Sequence, residues 1–234
     1  MKLRENIYQL SGAAFGQLGS AYAIQYGSEF VLIDTSHQDA LETIKCSMKY
    51  WGINENKITH VLLTHGHDDH SGCASYFQEL GAKIYVGAED KDMLEWGNFG
   101  EESPCTNHFM PSFTPDYLIE SDEKISIGNL EFNAIKVPGH TDGTTIYTLE
   151  IDEDFVLFSG DFFFPDGERG DQAQTGWKGD MSYSVEKLSK SFAKLWALKL
   201  KPTIVLGGHG IPLFGANAER SILLAYKFHM LNNR

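Results

Sequence analysis

Four apolar runs in this chain stop on turns that carry histidine or aspartate, and this repeated ending constrains the fold more than any other feature. The first run, Ile58-Thr59-His60-Val61-Leu62-Leu63, leads into Thr64-His65-Gly66-His67-Asp68-Asp69-His70. A second run ends at Val137, ahead of Pro138-Gly139-His140-Thr141-Asp142-Gly143. Phe155-Val156-Leu157-Phe158-Ser159-Gly160 precedes Asp161, and Ile204-Val205-Leu206-Gly207-Gly208 precedes His209. An apolar run bounded by glycine reads as a buried strand handing over to a loop. The adjoining glycines permit a sharp turn that aims a side chain across the sheet edge. In open α/β sheets the carboxyl ends of strands are where ligands are held. Neutral imidazole and carboxylate are the donors that zinc, iron and manganese accept. The recurrence of such donors in one setting is hard to explain residue by residue and makes these strand ends candidate metal-ligating positions.

The remaining pattern alternates strands and helices. Strands are expected at Ala21 to Tyr26, Phe30 to Ile33, Ile58 to Leu63, Lys83 to Val86, Leu130 to Val137, Thr145 to Ile151, Phe155 to Phe158 and Thr203 to Leu206. Leu41, Ile44, Met48 and Trp51 share one helix face, as do Leu188, Phe192, Leu195 and Leu198; Ile222, Tyr226 and Met230 mark a C-terminal helix. That order implies a layered α/β sandwich of two similar βα halves, read as one domain over residues 1–234. Irregular stretches from Trp96 to Tyr117 and from Phe162 to Tyr183 are candidate pocket walls.

Charge and cysteine content narrow the setting. With 19 basic against 32 acidic residues the net charge is −13, which repels phosphate backbones and argues against nucleic acid as a partner. The three cysteines, Cys46, Cys73 and Cys105, follow no Cys-x-x-Cys spacing, which suits a reducing cytoplasm rather than a disulfide framework. Ala13 to Ala23 is too broken by Gly16, Gln17 and Gly19 for a secretion signal and reads as part of a first pair of strands. No apolar run has the length to span a membrane.

The motif set His-x-His-x-Asp-His, then His140, Asp161 and His209, resembles the metallo-β-lactamase-fold superfamily over essentially the whole chain, in its Asp-bridged, glyoxalase II-like branch. The resemblance implies a four-layer αββα sandwich of two mixed sheets flanked by helices. It implies that His65, His67 and His140 hold one metal and that Asp69, His70 and His209 hold a second, with Asp161 bridging. The cofactors would be two divalent ions, zinc first, with iron or manganese as alternatives. Asp34, in Leu32-Ile33-Asp34-Thr35, matches a family aspartate that fixes the ligands from behind. Asp68 is expected to face solvent, and His37, His60, His108 and His229 are treated as ordinary.

Such a site points to a hydrolase that directs hydroxide at an ester, thioester, lactone or phosphoester, with Asp69 and Asp161 as catalytic carboxylates. The rival reading is a mononuclear iron persulfide dioxygenase, which the Gly139-to-Gly143 segment also resembles. Asp161 in place of a cysteine argues against β-lactam hydrolysis. One helix after His209, without a longer extension, leaves a glutathione thioester unsupported. A small-molecule substrate is expected, with Phe164, Arg169, Trp177, Lys178 and Tyr183 as candidate contacts. A homodimer is compatible with the sequence.

Overall fold

The computed structural model describes residues 1–12 and 18–233. Seven strands make the first sheet in chain order: β1 (Lys2–Arg4), β2 (Ile7–Ser11), β3 (Ala21–Tyr26), β4 (Glu29–Ile33), β5 (Ile58–Leu62), β6 (Lys83–Gly87) and β7 (Tyr117–Ile119). Pairing is antiparallel from β1 to β4 and parallel from β4 to β7. The second sheet uses β8 (Glu123–Ile127), β9 (Leu130–Lys136), β10 (Thr145–Ile151) and β11 (Asp154–Gly160). A short ribbon, β12 (Phe164–Pro165) and β13 (Ala173–Gln174), comes next, and β14 (Ile204–Gly207) and β15 (Leu213–Phe214) complete the sheet beyond β11. Only the β11–β14 pairing is parallel there, so both sheets are mixed.

Alternation along the strands sorts the apolar side chains into three cores and so into four layers. In β4, Val31 and Ile33 point into the inter-sheet core with Phe132, Tyr147, Leu149, Val156 and Leu206. Their neighbours Phe30 and Leu32 point the other way, against Ile44, Met48, Phe77 and Leu94. Those four sit on α1 (Leu41–Trp51), α3 (Ala74–Glu79) and α4 (Lys91–Trp96), with the one-turn α2 (Asp68–Ser71) ahead of α3. The outer face of the second sheet packs Leu157 and Val205 against Leu188, Phe192, Leu195 and Ile222 of α5 (Val185–Leu198) and α6 (Ala218–Asn232). A period of 2 in strands and 3.6 in helices produces this sorting. The layers are helix, sheet, sheet, helix, as the resemblance implied.

Each expected strand is present to within a few residues. β7 and β8 lie outside the expected set; β8 buries Ile125 and Ile127 while Lys124 and Ser126 are exposed, an alternation too short to register in the sequence. In the N-terminal stretch β2 and β3 pair antiparallel; residues 13–17, part of the same reading, lie outside the described residues. No described helix is long and apolar enough to cross a membrane.

Two buried tyrosines tie the sheets to each other at the rim. Tyr147 donates its hydroxyl to Leu63 O at 2.7 Å, and Tyr22 donates to Gly207 O at 2.8 Å. A carbonyl left without its donor in such a place loses its hydration with no replacement. Tyr147→Phe should lower unfolding free energy by about 1–3 kcal/mol in urea titrations. Burial pushes the Cys73 thiol up to about 12, helped by Asp39, whereas Cys46 is exposed. A thiol reagent at pH 8 should therefore label Cys46 rapidly and reach Cys73 only after denaturation; equal rates would contradict this packing.

Candidate metal centre

Strands β9, β11 and β14 run in one direction, since β10 is antiparallel to both β9 and β11 while β11 and β14 are parallel. Their carboxyl ends therefore share one rim, and each releases a residue singled out above: His140, Asp161 or His209. The loop after β5 meets that rim from the other sheet, where Thr145 N donates to Thr64 O at 2.8 Å. Close approach explains one glycine here: a Cβ on Gly208 would stand 2.2 Å from Asp161 Oδ1 and 2.6 Å from His70 Cε1.

His65, His67 and His140 form a tight triangle. His65 Nε2 is 3.1 Å from His67 Nδ1, and His140 Nε2 is 3.2 Å from each of those atoms. The opposite ring nitrogens decide where the protons are. His140 Nδ1 meets the carbonyl of Trp177 at 3.0 Å, and His67 Nε2 meets Asp180 Oδ2 at 2.8 Å. Both partners accept, so both nitrogens carry hydrogen. Thr64 Oγ1 donates to Asp34 Oδ2 at 2.7 Å and so accepts from His65 Nδ1 at 3.0 Å. Three lone pairs are left facing one another. That arrangement is repulsive by itself and becomes favourable around a cation, because ligand nitrogens about 2.0–2.1 Å from a tetrahedral ion lie about 3.3–3.4 Å apart. Burial, reinforced by His67, pushes His140 down to about 4, and burial with His70 holds His65 well below the usual imidazole range. His67 goes up: burial opposes protonation, but the Asp180 carboxylate outweighs it.

A second group adjoins the first. His70 Nε2 lies 3.1 Å from Asp161 Oδ1 and 3.6 Å from Asp69 Oδ2, and His209 Nε2 lies 3.0 Å from Asp69 Oδ2. Asp161 Oδ2 is 3.7 Å from both His140 Nε2 and His209 Nε2, so its carboxylate stands between the two groups. His209 Nδ1 is buried without a hydrogen-bond partner, and His70 Nε2 and Asp161 Oδ1, though 3.1 Å apart, are not aligned for a hydrogen bond to each other or to any other group. Burial opposes charge on His70, yet Asp161 and Asp69 draw it well above the usual range. Against the same burial, His70 holds Asp161 well below the carboxylate range. Side chains His65–His67–His140, His65–Asp69–His70 and His70–Asp161–His209 each bring one donor atom apiece within 4.8 Å of the others. Orphaned buried donors, all nitrogen or oxygen, fit a divalent cation.

Three buried aspartates brace this cluster. Asp34 adopts φ of +54° and accepts from Thr64 N at 2.7 Å, from Thr64 Oγ1, and from His70 Nδ1 at 3.0 Å. Left-handed backbone is tolerated by aspartate better than by most residues. Asp90, after β6, accepts from Gly66 N at 2.9 Å, Thr141 Oγ1 at 2.7 Å and Gly143 N at 2.8 Å, so one carboxylate ties the His65–His67 turn to the His140 turn. A Cβ on Gly143 would stand 2.4 Å from Asp90 Cγ, which accounts for the glycine. His67 pulls Asp180 down to about 2 against its burial, with Ser182 assisting. The sequence reading missed Asp90 and Asp180. Asp90 carried a signal, a strand-end position after β6, whereas Asp180 lies in an irregular stretch with none.

Several expectations need correction. Asp68 does not face solvent: it is 3 % exposed, and His108 Nδ1 donates to it at 2.9 Å while His37 Nε2 stands 3.6 Å away. His37 and His108 are therefore not ordinary surface histidines, and both line the cavity above the cluster. That cavity, about 630 Å³, is also walled by Phe99, Phe164 and Trp177. Phe162 and Phe163 belong to the core beneath α5. Arg169, Lys178 and Tyr183 are outside the lining: Lys178 Nζ is bonded to Asn233 Oδ1 at 3.0 Å, and Tyr183 packs against the core.

Replacing Asp90 with asparagine should turn an amide NH₂ toward at least one of its donors. Asp90→Asn should therefore cost about 1–3 kcal/mol in denaturation of metal-free protein; unchanged stability would mean the brace carries no strain.

Comparison with known proteins shows the family and the fold. The family model of the metallo-beta-lactamase superfamily matches residues 15–209. An uncharacterized protein of Mycobacterium leprae is 32% identical over 166 residues, covering 68% of this chain and 72% of its own. A hydroxyacylglutathione hydrolase of Francisella tularensis subsp. novicida is 25% identical over 166 residues, covering 69% of this chain and 57% of its own. In structure, a subclass B3 metallo-beta-lactamase of Bradyrhizobium japonicum superposes with a TM-score of 0.76 at 22% identity, over 99% of this chain and 89% of that one. At that identity the last likeness speaks for the fold alone. The chain belongs to the metallo-beta-lactamase superfamily, whose members are generally hydrolases.

Proposed function

We propose that this protein is a metal-dependent hydrolase with two adjoining cation positions, acting on an ester, thioester, lactone or phosphoester. The observation that carries the reading is the convergence of three imidazole lone pairs beside a second, orphaned set of buried donors. His65, His67 and His140 would hold one ion, and Asp69, His70 and His209 the other, with Asp161 shared. Zinc suits this donor set, and iron or manganese are alternatives. Bound there, the cations would supply Lewis-acid chemistry: a water acidified to near neutrality as the hydroxide source, and polarisation of the substrate's electrophilic oxygen.

The chain's own residues then do the rest. Asp69 lies at the cavity floor with its side chain 21% exposed, next to His209. Burial would raise its pKa, but His70 and His209 hold it below the usual range, so it meets substrate as a carboxylate. It can orient the nucleophile, take up the proton that the attacking hydroxyl releases, and pass that proton to the departing oxygen or sulfur. Asp161, also ionised, keeps the two positions in register. Hydroxyl adds to the acyl carbon, the bond to the leaving atom breaks, and the proton ends on that atom. Trp177 O, Asp180 and Thr64 hold the three rings in their orientation, which limits the reorganisation that loading demands. Kinship with a relative named for hydroxyacylglutathione hydrolysis supports the same branch of chemistry.

Elemental analysis of purified protein should return two divalent ions per chain, and a chelator should abolish turnover, with zinc restoring it. Asp69→Asn should keep the fold while lowering kcat by about 10²–10⁴. One iron per chain with oxygen uptake during turnover would replace this reading with the persulfide dioxygenase, and full activity without metal would end it.

A further inference from the structure

The cavity above the ligand cluster has a floor and a wall of unlike chemistry. His67, Asp69, Asp161 and His209 make the floor. The wall is a run of rings: Phe99 stacks on His67 at 4.6 Å, His108 stacks on Phe99 at 4.9 Å and 15°, and Trp177 faces His108 at 6.2 Å and 28°. His108 is anchored in this run by buried Asp68, which accepts from its Nδ1. Trp177 stays 46% exposed, so aromatic surface remains open to the cavity. Phe164 stands across from it, edge-on to the His209 ring at 5.4 Å and 89°.

Charge is distributed differently. Among the described residues no lysine or arginine lines the cavity; Asn107, Gln174 and Thr175 are uncharged, and His37, which also lines it, stands 3.6 Å from the Asp68 carboxylate. Asp68 adds a carboxylate, and the chain as a whole carries −13. An anionic group on the remote part of a substrate, away from the floor, would give up water and meet rings and the Asp68 carboxylate, with no lysine or arginine to replace its hydration. A flat apolar group has no such hydration to lose and gains ring contact.

We infer that the substrate is an uncharged ester, thioester or lactone whose flat apolar group lies against the Phe99–His108–Trp177 wall, with His108 a specificity-determining residue. The inference rests on the hydrolase reading and deepens it. Two hydrolysis-inert thioethers with the same benzyl group test it by calorimetry on the zinc-loaded full chain: neutral S-benzyl-N-acetylcysteamine and anionic S-benzylglutathione. The neutral thioether should bind at least about tenfold more tightly, and Trp177→Ala and His108→Ala should each weaken it about tenfold with zinc content unchanged. Equal or tighter binding of S-benzylglutathione overturns the inference, as does undetectable binding of the neutral thioether or unchanged affinity in both variants. Neither ligand is turned over, so the two readings fail separately. Protein that binds the neutral thioether but hydrolyses no ester overturns the hydrolase reading instead.

Discussion

Ring nitrogens and carboxylate oxygens are packed against one another at the rim between two sheets, and the rest of the structure answers to that constraint. Three imidazole lone pairs meet at 3.1–3.2 Å, and next to them a buried carboxylate oxygen and two buried ring nitrogens have no hydrogen-bond partner. Left free, such side chains would rotate apart or take up protons. They are held instead from behind, by Asp34 on His70, Asp180 on His67, the Trp177 carbonyl on His140 and Thr64 on His65. Preorganisation of this kind is costly for the empty fold and favourable once positive charge is present.

The sandwich makes that arrangement affordable in geometric terms. Two sheets pressed face to face align the carboxyl ends of β9, β11 and β14 with the end of β5, and the inter-sheet core beneath them keeps water out. Tyr147 and Tyr22 reach across that core to backbone carbonyls at the same rim, which sets the spacing of the two ligand-bearing edges. Asp90 does for the loops what the tyrosines do for the sheets, binding the His65–His67 turn to the turn that carries His140. Stability and site geometry thus draw on the same few hydrogen bonds.

Much of this was legible beforehand, for a definite reason. A strand that ends on glycine and histidine is a local statement, so His140, Asp161 and His209 could be read one at a time and then joined by their shared setting. Asp34 was legible in the same way. Asp180 was not, because nothing in Gly179-Asp180-Met181 announces an imidazole 113 positions away. Asp68 was misread because a polar residue beside a turn ordinarily faces water, whereas here His37 and His108 close over it. Arg169 and Lys178 were expected at the cavity because they follow Asp161 in the chain, yet the same stretch brings Gly176 N to Asp161 O and Trp177 to the lining while Lys178 Nζ is bonded to Asn233 Oδ1.

By itself the sequence determined a layered α/β sandwich, through periods of 2 and 3.6 that sort each side chain to one face, and it determined which donors stand at strand ends; the four-layer order was implied by the family resemblance. Only the tertiary structure decided which of those donors face one another, which ring nitrogen carries hydrogen, and that the cavity wall is aromatic without a lysine or arginine among its described residues. The division follows from range: facing and capping within a strand or helix are set by neighbours a few positions apart. A tautomer or a cavity wall is set by groups that meet only when distant loops are packed together.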